Sequence, residues 1–121
     1  MTKTILTVDD SRTMRDMLRM SLVEAGYRVV QAEDGVHGLE VLQVETPDVI
    51  VTDINMPRLD GFGFIEAVRK DATWRTTPVL VLTTEVDPEK KGRAKAAGAT
   101  GWIVKPFDPV KLVDAIRRVA A

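Results

Sequence analysis

The stretch VIVTDINMPRLDG, residues 49–61, decides the fold predicted for this chain. Its first four residues, Val49 to Thr52, are typical of a buried strand, and they run directly into Asp53. A charged carboxylate is costly inside a sheet, so Asp53 is predicted to lie where the strand opens to solvent. Pro57 and Gly61 then interrupt the regular backbone, which predicts a turn that leads into a helix.

A second group of acids follows another apolar run. Residues 5–8 lead directly into Asp9 and Asp10, in the same order of strand and then acid. If the two strands are parallel neighbours, these carboxylates meet Asp53 at one edge of the sheet and repel one another unless a cation neutralises them. Oxygen-rich surroundings without cysteine or histidine favour Mg²⁺ over zinc or copper. The sequence therefore predicts Mg²⁺ as the cofactor.

Strand-type and helix-type segments alternate along the chain. Strands are predicted at residues 4–8, 27–32, 49–52, 79–83 and 101–105, and each is followed by a helical segment. We expect every strand to be buried on both faces, as in a parallel sheet with helices on both sides. Right-handed crossovers and short loops favour a doubly wound α/β fold.

Two of the predicted helices have distinctive compositions. The first, which follows residue 11, is expected to bury Met14 and Met17 because both recur at helical spacing. The fourth, which ends at Gly98, has only alanines to bury and contains Gly92, which costs about 1 kcal/mol relative to alanine. We expect the fourth helix to be the least stable element.

Polar side chains end four of the five strands. The carboxyl ends of parallel strands meet at one edge of the sheet, which is where doubly wound proteins bind their ligands. Residues placed by chance would be divided between the two edges. The residues at these strand ends are Asp9, Asp10, Asp53, Thr83 and Lys105.

The composition argues against several classes of protein. The chain has 121 residues, a net charge of -1 and 29% charged residues spread along its length, so a nucleic-acid partner is not expected. The N-terminus lacks an apolar signal region and no apolar run reaches membrane-spanning length, so we expect a cytoplasmic protein without membrane contact. The absence of cysteine excludes disulfides. We expect residues 1–121 to form one monomeric domain.

Four motifs together resemble the receiver domain of two-component response regulators, in its single-domain, CheY-like chemotaxis form. They are VDD at 8–10, TDINMPRLDG at 52–61, Thr83 after an apolar strand, and GWIVKPF at 101–107. The set is specific because the four occur in one order over nearly the whole chain. The resemblance implies a flavodoxin-like, five-stranded parallel sheet of strand order 2-1-3-4-5 with five helices. It also implies a phosphoacceptor signalling protein rather than an enzyme that turns over a separate substrate.

The resemblance implies a role for each acidic residue. Asp53 would accept the phosphoryl group. Side-chain oxygens of Asp10 and Asp53 would bind Mg²⁺, together with the backbone carbonyl of Asn55. Asp9 would act mainly through metal-bound water.

The phosphoryl contacts and the switch are implied in the same way. Thr83 and Lys105 would contact the phosphoryl oxygens, and the Lys105–Pro106 bond would be cis. Charge supports the lysine independently, because attack by a carboxylate on a phosphoryl group brings two anions together. Trp102 matches the family position that turns inward when Thr83 moves toward the phosphate. The face formed by the fourth helix, fifth strand and fifth helix would then change shape.

The chain also departs from the pattern that it resembles. Trp102 stands where tyrosine or phenylalanine is usual, and Thr84 stands where a small residue is common. A larger ring and a crowded inward path would shift the balance between the inward and outward states. Asn55 and Glu85 match positions that affect how fast the phosphoryl group is lost, which favours a short-lived signal.

Three other interpretations account for part of this acidic pattern. They could be ordinary helix caps and solvated loop charges, although three acids facing a lysine and a threonine argue against that. A phosphatase of the haloacid dehalogenase type would need a second aspartate two residues after the first, where this chain has Asn55. A flavodoxin-like FMN binder would need a phosphate loop, where DDSRTM presents carboxylates instead.

The expected partners follow from the resemblance. A CheA-like histidine kinase would donate the phosphoryl group, and a flagellar motor switch protein, or another target selective for the phosphorylated form, would receive the signal. A phosphorelay intermediate or a phosphate sink would share the fold and the chemistry. The sequence leaves these outputs open.

Overall fold

The structure is a computed structural model that describes residues 2–120. Five parallel strands form one sheet in the order β2-β1-β3-β4-β5, which confirms the predicted doubly wound topology. The strands are β1 (Thr4–Val8), β2 (Arg28–Ala32), β3 (Val49–Thr52), β4 (Val79–Thr83) and β5 (Gly101–Val104). The helices that follow them are α1 (Arg12–Glu24), α2 (Gly35–Leu42), α3 (Gly61–Lys70), α4 (Pro88–Ala97) and α5 (Pro109–Ala120).

Both faces of the sheet carry an apolar core, because neighbouring residues of a strand point to opposite sides. On one face, Ile5 of β1 belongs to a cluster with Leu18 of α1 and Leu112 of α5. On the other face, Leu6 belongs to a cluster with Phe64 of α3, and both side chains are fully buried. Each such aliphatic or aromatic side chain contributes about 2 kcal/mol by leaving water.

The expectation that every strand is buried on both faces was wrong for the two edge strands. The central strands β1, β3 and β4 are buried almost throughout, whereas β2 and β5 are mostly half-buried. An edge strand has a neighbour on one side only, and the helices cover its outer border incompletely. A continuous apolar run therefore distinguishes central strands from edge strands poorly.

The prediction that the methionines of α1 are buried was also wrong in part. Met14 is half-buried, but Met17 is 47% exposed. The face of α1 that packs on the sheet is formed by Leu18 and Leu22, one turn apart, and Met17 lies at the border of that face. Met17 lines an open groove between α1 and α5 together with Val110.

Helix α4 is attached to the domain by very little apolar surface. Ala94 is the buried residue of this helix. The helix begins at the predicted cap, where Asp87 accepts a hydrogen bond from the N–H of Glu89, and it ends at Gly98 with a left-handed φ of 113°. Nothing lies within 4 Å of the position that a Cβ would take at Gly92. In residues 2–120, no helix has the length and apolar character needed to cross a membrane.

Candidate functional site

The backbone hydrogen bonds of the sheet continue for one residue beyond several strands and bring the strand ends together. The N–H of Asp53 donates to the carbonyl of Val8 at 2.9 Å, which joins the end of β3 to the end of β1. The N–H of Lys105 donates to the carbonyl of Thr83 at 2.8 Å, which joins β5 to β4. The residues that follow these strands therefore lie along one edge of the sheet.

Three carboxylates converge at this edge. Asp9, Asp10 and Asp53 each offer one oxygen, and the three oxygens lie within 4.8 Å of one another. Asp9 is buried, Asp53 is half-buried and Asp10 is exposed, so the cluster runs from the interior to the surface. An all-oxygen, negatively charged donor set of this kind fits Mg²⁺, which prefers carboxylates and retains several waters. The residues present therefore fit the predicted metal.

Lys105 lies between two of the carboxylates. Its Nζ donates to Oδ2 of Asp9 at 2.8 Å and to Oδ2 of Asp53 at 2.9 Å, and its side chain is only 10% exposed. Burial alone would lower the pKa of Lys105, but hydrogen bonds and charge from Asp9 and Asp53 outweigh burial and raise it. The amine is therefore held in its charged form against the acidic cluster.

Asp9 is the most deeply buried of the three carboxylates. Burial raises the pKa of the Asp9 carboxyl, although hydrogen bonds from Lys105 and the Ser11 N–H oppose the rise. The Ser11 bond to Oδ1 is 2.9 Å long, so both oxygens of Asp9 have partners. The Asp9 carbonyl also accepts a hydrogen bond of 2.7 Å from Nη1 of Arg15, a contact absent from the sequence-based prediction. The two residues are six positions apart and Asp9 lies before the helix, so helical spacing does not indicate this contact.

The remaining predicted residues lie around this cluster. Thr83 is fully buried, and its Oγ1 accepts a hydrogen bond from the N–H of Glu85 at 3.3 Å. Asn55 is exposed, two residues after Asp53. The bond between Lys105 and Pro106 is cis.

Trp102 lies on β5, away from the acidic residues. Its side chain is half-buried and packs against the apolar cluster that contains Leu6 and Ala94. Beside it is a cavity of about 240 Å³ between α4 and β5, whose walls include Ala94 and Gly101. Small residues therefore leave space next to the ring.

The loop between β3 and α3 has an attachment that the sequence did not indicate. Arg58 forms an ion pair with Asp34, the residue that caps α2. The two residues are 24 positions apart, so no local pattern connects them.

The fold and the acidic edge define the class of protein to which this chain belongs. Residues 5–117 match the model of the response regulator receiver domain, and the chain belongs to that family. It is therefore a receiver domain of two-component signalling, a class whose members accept a phosphoryl group.

The relatives of this chain differ in how much of their own length the match covers. The chemotaxis response regulator CheY4 of Vibrio cholerae is 47% identical, with a TM-score of 0.92, and the match covers 98% of this chain and 99% of that one. A probable transcriptional regulator, ycf27 of Guillardia theta, is 39% identical over 95% of this chain but over only 44% of its own length. This chain thus spans about half the length of the curated relatives that it matches.

A third relative bears on the metal. The receiver domain of the sensor histidine kinase PA1611 of Pseudomonas aeruginosa, solved with a magnesium ion coordinated in its active-site cleft, is 25% identical. Its TM-score is 0.92, and the match covers 99% of this chain and 98% of that chain.

Proposed function

We propose that this protein is a phosphorylation-activated switch that accepts a phosphoryl group on Asp53 from a histidine kinase. The observation that carries the proposal is the contact of Lys105 Nζ with Asp53 in the middle of three clustered carboxylates. A lysine beside one half-buried carboxylate, together with two further acids that fit a divalent cation, forms the charge arrangement that phosphoryl transfer to that carboxylate requires.

The proposed reaction moves one phosphoryl group between two side chains. A carboxylate oxygen of Asp53 attacks phosphorus, an O–P bond forms, and the N–P bond to the donor histidine breaks. The electron pair of that bond returns to the imidazole, which takes up a proton. The signal ends when water hydrolyses the acyl phosphate. This step regenerates the Asp53 carboxylate and releases inorganic phosphate.

The residues around Asp53 have separate roles in this proposal. Lys105, already within 2.9 Å of Asp53, donates to a phosphoryl oxygen and balances its charge. Thr83 donates its hydroxyl to a second phosphoryl oxygen, because the contact with the Glu85 N–H uses only an acceptor lone pair of that oxygen. Asp10 and Asp53, with the carbonyl of Asn55, would hold Mg²⁺, and Asp9 would act through its water. When bound, Mg²⁺ neutralises charge on the transferring group.

Movement of Thr83 is the event that links the site to the surface. In the proposed active state Trp102 turns inward, and the face formed by α4, β5 and α5 changes shape. The half-buried ring, the cavity beside it and the sparse burial of α4 support this assignment. In a Trp74→Phe variant, which leaves Trp102 as the single tryptophan, beryllofluoride with Mg²⁺ should shift the fluorescence emission to shorter wavelength.

Intact mass spectrometry tests the acceptor assignment. Acetyl phosphate with Mg²⁺ should add one phosphoryl group to the wild type and none to Asp53→Asn. EDTA should abolish the labelling, whereas Asp48→Asn, a change at an exposed residue, should leave it intact. Labelling of the Asp53→Asn variant, or of another residue in the wild type, would overturn the proposal.

The partners belong to the same proposal. We infer a CheA-like kinase as donor and a flagellar motor switch protein as target, because CheY4, which is 47% identical, is a chemotaxis response regulator. This function requires a cytoplasmic protein. A pulldown with and without beryllofluoride should retain a motor switch component only in the activated state. Retention of a histidine phosphotransfer protein instead would favour the phosphorelay or phosphate-sink function.

A further inference from the structure

The loop that follows Asp53 is joined to the start of α2 by a two-pronged ion pair. Nε of Arg58 donates to Oδ2 of Asp34 at 2.7 Å, and its Nη2 donates to Oδ1 at 3.0 Å. Asp34 is only 3% exposed, and the same Oδ1 accepts the N–H of His37 at 2.8 Å. Two hydrogen bonds to one buried carboxylate fix the orientation of the arginine guanidinium as well as its distance from that carboxylate.

The backbone of this loop is held at two further points. The N–H of Gly35 donates to the carbonyl of Leu59 at 3.1 Å, and a Cβ at Gly35 would lie only 2.5 Å from that oxygen. At the base of the loop, the N–H of Gly61 donates to the carbonyl of Ile54 at 2.8 Å. Residues 54–61 therefore form a closed loop that rests on the turn before α2.

Arg58 occupies this position at a cost in backbone energy. Its φ is 65°, in the left-handed region that side chains other than glycine and asparagine rarely adopt. A glycine at this position would adopt the positive φ without strain, but it has no side chain to bind Asp34. Backbone strain of this kind persists only where surrounding contacts compensate for it, and the ion pair is such a contact.

We propose that the Arg58–Asp34 pair is a positioning device that holds the loop so that the carbonyl of Asn55 can complete the Mg²⁺ site. The inference rests on the proposed function, in which Asn55 is a ligand. Mg²⁺ demands near-ideal octahedral geometry, so a ligand carried by a loose loop is bound poorly. Arg58, three residues beyond Asn55, acts on the metal through the loop and not by contact with it.

Two substitutions separate the ion pair from the other roles of these residues. Arg58→Asn removes the guanidinium but retains a residue that tolerates positive φ. Asp34→Asn removes the charge but retains an oxygen that can cap α2. The dissociation constant of Mg²⁺ is measured from the NMR shift of the Asn55 amide, and acetyl phosphate labelling is followed across Mg²⁺ concentrations.

Each single variant should raise the dissociation constant of Mg²⁺ about tenfold, as removal of a group that orients a metal ligand typically does. The double variant should raise it no further, because the two residues act as one unit. Labelling at saturating Mg²⁺ should stay near the wild-type rate. A variant that was merely destabilised would not be expected to lose Mg²⁺ affinity and keep its maximal labelling rate.

Arg28→Asn is the matched control. Arg28 also forms a two-pronged ion pair, in which its Nη1 and Nη2 donate to Glu45 at 2.9 and 3.0 Å, and it lies at the opposite end of β2. Its loss should leave Mg²⁺ affinity unchanged. If Arg58→Asn does not fold, Arg58→Lys, which keeps the charge but loses the fork, replaces it in the same measurement.

Unchanged Mg²⁺ affinity in Arg58→Asn or its lysine replacement would overturn the positioning role. An equal loss of affinity in Arg28→Asn would overturn it as well. In both cases the wild type would still bind Mg²⁺ and take label on Asp53. A wild type that did neither would overturn the proposed function, and this inference with it.

Discussion

Lys105 and Asp53 lie 52 residues apart in the chain, yet Nζ of Lys105 donates to Oδ2 of Asp53 at 2.9 Å. The same amine donates to Asp9, so one cation serves two of three clustered carboxylates. A single positive charge does not balance three negative charges. The site is therefore short of positive charge, and a divalent cation would correct that deficit.

Loss of Lys105 should destabilise the protein strongly in the absence of metal. Lys105→Met keeps the length of the side chain but leaves the buried Asp9 without its cation, and the free energy of unfolding should fall by about 3 kcal/mol. Urea denaturation in EDTA at pH 7 measures the change. Because the pKa of Lys105 is raised above 10.5, its stabilising effect should persist through neutral pH and fade as the pH rises through the folded-state pKa.

Lys91→Met is the control for this experiment. Lys91 is exposed on α4, and its loss should change the free energy of unfolding by no more than about 0.5 kcal/mol. Equal effects of the two substitutions would contradict a structural role for the Lys105 amine.

Removal of the Asp10 charge should stabilise the metal-free protein. Asp10 is exposed and repels Asp9 and Asp53, whereas Lys105 already offsets part of the charge of those two residues. Asp10→Asn should therefore raise the melting temperature in EDTA by about 3 °C. With Mg²⁺ added, the wild type should have the higher melting temperature of the two proteins. A lower melting temperature for Asp10→Asn in EDTA would show that the carboxylates do not repel in solution.

The Asp34–Arg58 pair should make the free energy of unfolding depend on pH in the acid range. The hydrogen bond from Arg58 holds the pKa of Asp34 below its ordinary value of 3.8. Its contribution is therefore complete above pH 3.8 and is lost as the pH falls through the lower, folded-state pKa. The difference in unfolding free energy between the wild type and Asp34→Asn, measured by urea denaturation, should shrink across that range.

Arg58→Asn supplies the comparison for the acid experiment. Without the guanidinium, Asp34 loses the main cause of its lowered pKa. The free energy of unfolding of this variant should therefore vary less with acid pH than that of the wild type, as it does in Asp34→Asn. A difference from the wild type that stayed constant with pH in both variants would count against the ion pair.

Gly92 of α4 and Gly98, which caps the end of that helix, should respond to alanine in opposite directions. Gly92→Ala enters open space in a helix interior and should stabilise the protein by about 0.5–1 kcal/mol. Gly98→Ala must adopt a φ of 113° and places its Cβ 2.7 Å from the side chain of Arg69. It should destabilise the protein by more than about 1 kcal/mol. Urea denaturation distinguishes the two, and a stabilising Gly98→Ala would contradict the left-handed cap.

The predictions that were confirmed depended on local patterns. The apolar run before Asp53 indicated a strand, and the alternation of strands and helices indicated the doubly wound sheet, which the structure has. The errors concern burial. Met17 fits the helical period of α1, but its exposure depends on its place beside the open groove between α1 and α5. No period along one segment contains that information.

The sequence by itself determined the kind and order of the elements and the identity of the polar residues that end the strands. These features follow from periods of about 2 and 3.6 residues and from turn residues, all of which act between near neighbours. Only the tertiary structure decided that Lys105 divides its hydrogen bonds between Asp9 and Asp53, and that Arg58 reaches Asp34. Those pairings depend on strand register and loop path, because they join residues 24 to 96 positions apart in the chain.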